Sequence, residues 1–150
     1  MSAYAVKHLA HDHGPLATTM KDVRRAPFSF TSHEPEASEA AQGNDVYVFE
    51  VRGEARGPRS YWLGYKYRAY EKYPPAGNGL WRERFKFKNA GRAGERGEGF
   101  YFDAPVAVAD PGIAAWLRDK PAGMLLIPEE FVAGIEALAS DPGNGAKRFG

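Results

Sequence analysis

The strictest alternation in the chain lies in LWRERFKFKN, residues 80–89. Trp81, Glu83, Phe85 and Phe87 take one parity there, and Arg82, Arg84, Lys86 and Lys88 the other. A period of two is that of a strand with two unlike faces. GNDVYVFEVRG, residues 43–53, carries the densest apolar run, with Val46, Tyr47, Val48, Phe49 and Val51 between two glycines. That pattern predicts a strand over 46–51. YWLGYKYRAYEKY, residues 61–73, predicts a long strand over 61–70. Read without interruption, it puts Tyr61, Leu63, Tyr65, Tyr67 and Ala69 on a core-like face. Trp62, Gly64, Lys66, Arg68, Tyr70 and Lys72 fall on an aromatic and basic one. Strands are also expected over 82–88 and 100–108, the second with Pro105 arguing against a central position.

Helical spacing is confined to short stretches. Pro15 followed by Leu16, Met20 and Val23 predicts a short helix that Pro27 closes. Asp110 before Pro111 reads as a helix cap. Phe131, Ile135 and Leu138 share one face of a last helix, and GMLLIP at 123–128 before it reads as a buried strand. SAYAVKHL at 2–9 is a first strand with poor alternation, and residues 140–150 read as a flexible tail. Five or six strands with short peripheral helices predict one α+β domain over residues 1–139, its sheet curled into a small, partly closed β-barrel.

Composition changes this picture in two places. The chain has 150 residues, 43% hydrophobic and 13% aromatic, enough for one domain with a real core. It has no cysteine, which excludes disulfides and thiolate chemistry and agrees with a cytoplasmic setting. No apolar run approaches the roughly 20 residues of a membrane span. The net charge is only +1, but residues 52–96 hold 12 Lys and Arg against 4 Glu. The middle of the chain is therefore basic between acidic flanks, which suggests an anionic partner.

Candidate chemistry is sparse. HLAHDH collects His8, His11, His13 and Asp12 within six residues, a composition able to ligate a divalent cation. Neither a cysteine nor a later histidine beyond His33 is there to complete the set. The serines sit in no nucleophile-elbow pattern, and NAGRAGERGEG lacks the Lys-Ser/Thr ending of a phosphate loop. A binding module without a cofactor is favoured over an enzyme. The alternative is a small metal-dependent enzyme built on the histidine cluster.

One resemblance sharpens the expectation. AAQGNDVYVFEV, YWLGYKYRAYEKYPP and WRERFKFK resemble, in order, consecutive strands of EVE-type domains in the PUA-like superfamily. APVAVADPGIAAWLRDKPAGMLLIPEEFVAGIEALA is similar to that family's closing segment. The likeness spans roughly residues 41–139, whereas residues 11–40 do not align and AYAVKHL departs from the family's opening strand. It implies a small β-barrel whose cleft reads a modified or extruded nucleobase, alone or beside a separate effector protein. Pocket residues would then be Phe28, Ser29, Phe30 and His33 with Trp62, Tyr65 and Tyr67. Arg25, Lys66, Arg68, Arg84, Lys86 and Lys88 would contact phosphates.

Overall fold

Val46, Tyr47, Val48, Phe49 and Val51 form the centre of strand β3 (Asp45–Arg52), and all five are buried. In the computed structural model, residues 2–18, 28–32, 44–53, 56–72, 82–87, 99–120 and 125–148 are described. Positions 13, 28–32, 67–72 and 82–87 are described by backbone alone. β3 is flanked by β1 (Ala3–Leu9), which runs parallel to it, and by the antiparallel β4 (Ser60–Lys72). Beyond β1 lies the two-residue β7 (Leu125–Leu126). On its far side β4 pairs first with β6 (Phe100–Ala107), which carries the short edge strand β8 (Lys147–Arg148). The end of β4 pairs with β5 (Arg82–Phe87), and β5 pairs with β2 (Phe28–Ser32). Among the described residues the result is one mixed sheet of eight strands, with a few short helices. The α+β expectation holds, and the pairings described leave the sheet open.

Helices α2 (Pro111–Asp119) and α3 (Glu129–Ser140) cover one face; the one-turn α1 (Ala10–His13) follows β1. Asp110 caps α2 as its sequence predicts: its carboxylate accepts from the N–H groups of Gly112 at 2.8 Å and Ile113 at 3.2 Å. Ile113 and Leu117 of α2 and Ile135 of α3 are buried against Ala5, Tyr47, Phe49, Val51, Tyr61, Leu63 and Phe102. Phe131 and Leu138 of α3 pack on the same cluster, on the face their spacing predicts. At the end of α2 the Lys7 amine donates to the carbonyls of Leu117, at 2.9 Å, and of Lys120. These are last-turn carbonyls with no partner inside the helix, so a cation from β1 both satisfies them and suits the negative helix end.

The long strand does not keep one alternation. Phe49 pairs with Leu63, but Val48 pairs with Tyr65, so Gly64 is an extra residue in β4. This is a β-bulge, and it exchanges the two faces of the residues that follow as far as Arg68, before a second irregularity between Ala69 and Glu71. Before it, Tyr61 and Leu63 face the helices, as alternation predicts, and Trp62 faces away. After it, Tyr65 falls in line with Val48, away from the helices, and Lys66 with Tyr47, toward them, while Tyr67 is the register partner of Val46. The uninterrupted reading of residues 65–68 is therefore corrected by one residue.

Glycine is required at the bulge because Leu16 occupies the place of its side chain. A Cβ at Gly64 would stand 2.2 Å from Leu16 Cδ2 and 3.5 Å from the Val48 carbonyl oxygen. Leu16 is fully buried, so that methyl has little room to move away.

Three other expectations change. The described part of GMLLIP supplies the two-residue β7 at the edge, with Leu126 58% exposed and Ile127 buried in its place. Residues 140–148 are not a loose tail: a 3-10 turn (Pro142–Asn144) leads into β8, where Lys147 pairs in register with Tyr101 and its amine bonds Asp103. Pro105 is accommodated because β6 leaves the ladder between Tyr101 and Val106. The helix expected from Pro15 begins at residues 16–18, and its remainder lies outside the described residues.

A double-mutant cycle tests the fit of Leu16 over Gly64. Leu16→Ala should cost about 2–5 kcal/mol by leaving a cavity. Gly64→Ala should cost about 1–3 kcal/mol by overpacking. The pair together should cost less than the sum by at least about 1 kcal/mol in urea denaturation, because the new methyl then enters the vacated space. Additive losses would show that Leu16 does not fill that notch.

Candidate functional site

The sheet face turned away from α2 and α3 is built in rows. Tyr4, Val46 and Tyr67 align across β1, β3 and β4; Val6, Val48 and Tyr65 form the next row, extended by Tyr101 of β6. His8, Glu50 and Trp62 form the third. Tyr4, Val46, Val48 and Tyr65 are buried, so this face is a second packed layer and not open water-facing sheet.

Its polar end is organised by Glu50, a carboxylate only 1% exposed. A buried charge persists only where it is paired and hydrogen-bonded. Glu50 accepts from the Leu16 backbone N–H at 2.5 Å and from Arg52 Nε, two residues along the same strand face. The Arg52 guanidinium lies over the Trp62 indole, 4.0 Å from the ring centroid. The indole N–H in turn donates to Ser60 Oγ at 2.8 Å, and Ser60 is the register partner of Arg52. His8 Nε2 bonds the Gly14 carbonyl at 2.8 Å, so the Nε2 position carries the proton. The Gly14–Leu16 segment is thus fastened to this face twice, once by His8 and once by Glu50.

Lys66, expected among the phosphate contacts, stands on the helix side instead. Its amine meets Asp45 Oδ2 at 3.3 Å and lies 5.8 Å from the ring centroids of both Tyr47 and Phe100. Asp45 is also the register partner of Arg68. The cause is again the bulge, which turns Lys66 away from Trp62. Nor does β5 lie beside Lys66 and Arg68: it pairs with Ala69, Glu71 and Lys72.

The β2–β5 ladder brings other candidates together. Phe28 pairs with Lys86, Ser29 with Phe85, and Phe30 with Arg84. Directly opposed residues of an antiparallel pair share a face, so ring and cation positions interleave there. Arg25, His33 and Lys88 lie outside the described residues.

The histidine cluster is divided by the strand–helix boundary. His8 ends in β1, and His11 is exposed in α1. Among the described residues, no group of three His, Cys, Asp or Glu is arranged to hold a metal ion. His11 and Asp12 instead help line a small depression with Leu9, Val51, Gly53 and Arg59. Sequence reasoning missed Glu50, Arg52 and His8 as one constellation. The available signal was a lone carboxylate inside the apolar run of β3, with an arginine two residues on.

No protein-family model and no curated protein matches the chain. No helix among the described residues is long and apolar enough to cross a membrane.

Two buried tyrosines make stability fall in alkali. Burial, and then the Glu136 and Asp45 carboxylates, raise the Tyr47 phenol above its ordinary value. Burial raises Tyr61 also, against the opposing charges of Arg59 and Arg118. An unfolded tyrosine ionises near pH 10, so above that pH the unfolded chain binds fewer protons and gains on the folded one. Lys7 acts oppositely, because burial and then Arg59 lower its amine. It adds stability as pH rises through the window below about 10.5, where that gain ends. Urea titrations from pH 9 to 12 should therefore show stability lost above pH 10, by up to about 1.4 kcal/mol per pH unit from Tyr47, with a smaller, solvent-screened share from Tyr61. Tyr47→Phe should make that loss shallower; an unchanged slope would mean that Tyr47 ionises in the folded protein as readily as in the unfolded one.

Proposed function

We propose that this protein is a non-catalytic nucleic-acid-binding module of the PUA-like, EVE-domain type, acting in the cytoplasm alone or with a separate effector. In that reading the sheet curls into a partly closed barrel. A modified or flipped base enters among its aromatic residues while the cationic strands hold the backbone. A base out of its stack needs ring faces and a few polar groups for its edge, and the backbone needs charge without sequence information.

The observation that carries the reading is the β2–β5 register. It sets Phe28 against Lys86 and Phe30 against Arg84, and both cations belong to residues 52–96, where basic residues outnumber acidic ones threefold. Interleaved rings and cations are the composition with which single strands are bound. A second support is Trp62, a half-buried ring on the face opposite the helices, in the row next to the buried Tyr65.

Salt dependence tests the proposal. Affinity for single-stranded nucleic acid should fall steeply with salt, and replacing Arg84, Lys86 and Lys88 together by Ala should shallow the slope of log K against log salt by about 2 units. An unchanged slope in a folded variant would remove these residues from the interface.

A further inference from the structure

The Glu50–Arg52–Trp62–Ser60 unit is more elaborate than packing requires. We propose that Arg52 is the residue with which this face takes an unpaired guanine of a single strand. The inference deepens the nucleic-acid reading and rests on it. Arg52 is held by two groups, one of which is itself fixed. Its Nε donates to the buried Glu50, its Cζ lies 4.0 Å from the Trp62 ring centroid, and the indole is fixed by Ser60. The side chain is nevertheless 42% exposed, so a ligand can reach it.

With Nε committed, the fork that remains is the pair of terminal Nη groups. That fork matches two adjacent acceptors in one plane: a carboxylate, a phosphate, or O6 and N7 of guanine. Glu50 decides among them. It offsets the guanidinium charge, so the pair offers two aligned donors with little net positive charge. A second anion would meet the Glu50 carboxylate behind the fork, whereas guanine brings two acceptors and no charge. Adenine offers an amino donor where guanine has O6, and so opposes a donor with a donor. The cationic positions Arg84 and Lys86 lie on a different strand pair, which leaves phosphates to them and the base to Arg52. The fixed indole and guanidinium also need no ordering on binding, which favours a single geometry.

The test uses the full chain with labelled thymidine octamers carrying one central substitution, read by fluorescence anisotropy. Guanine should bind more tightly than adenine by about 5- to 150-fold, the range one bidentate pair supplies. 7-Deazaguanine, which lacks one acceptor, should lose most of that advantage. Free GMP, lacking the strand's other phosphates, should compete only at much higher concentration. Arg52→Lys keeps the charge without the fork and should bring the guanine-to-adenine ratio close to 1, with thermal unfolding followed to show that the variant is folded. Should that variant fail to fold, the base series on the native protein decides. Equal binding of guanine, adenine and 7-deazaguanine would overturn the assignment, as would a folded Arg52→Lys protein that keeps the preference. GMP competing as well as the octamer would overturn the single strand as the ligand. Binding of every octamer without preference removes Arg52 as a reader and leaves the nucleic-acid module standing. Binding of none at low salt removes both.

Discussion

Gly64 has no side chain, and Leu16 fills the space where one would be. The two faces of the sheet acquire their composition from that contact. An extra residue in β4 at this point shifts the pairing from Phe49–Leu63 to Val48–Tyr65 and reverses the strand's alternation. Without the bulge, Tyr65 would compete for the helix-covered core and Lys66 would stand with Trp62. With it, the ring joins Trp62 and the amine goes to Asp45 between Tyr47 and Phe100. A glycine is the residue that permits both the close approach and the irregular ladder.

The same contact connects packing to electrostatics. Leu16 is seated by its side chain in the Gly64 notch and by its backbone N–H on Glu50. Glu50 then needs a cation, which Arg52 supplies from the same strand, and the arginine covers Trp62. Each link satisfies a group that burial would otherwise leave unpaired. The charged half of this face is therefore as constrained as its apolar half, and an arginine is presented at the surface in one fixed pose.

Much of the fold was legible in the sequence because its signals are local. The alternation of β5, the apolar run of β3, the Asp110 cap and the Phe131–Ile135–Leu138 stripe each depend on neighbouring residues alone. What escaped depends on distant ones. A period of two cannot register a bulge, although a lone glycine inside a strand pattern is its usual mark. The pairing of Lys147 and Arg148 with β6 is not legible from SDPGNGAKRFG, whose glycines and proline suggest a tail. The candidate site divides in the same way. Trp62 was placed by parity, since it precedes the bulge, whereas Lys66 and Arg68 follow it and were placed on the opposite face. The Glu50–Arg52 pair was hidden because its purpose lies across the sheet, at Leu16 and Trp62.

The register of β3 and β4 is the claim on which the rest depends, and backbone proton NMR measures it directly. Interstrand nuclear Overhauser contacts should align Phe49 with Leu63 and Val48 with Tyr65, skipping Gly64. Contacts that align Val48 with Gly64 and Tyr47 with Tyr65 would describe a regular ladder. They would put Lys66 back beside Trp62 and contradict the account.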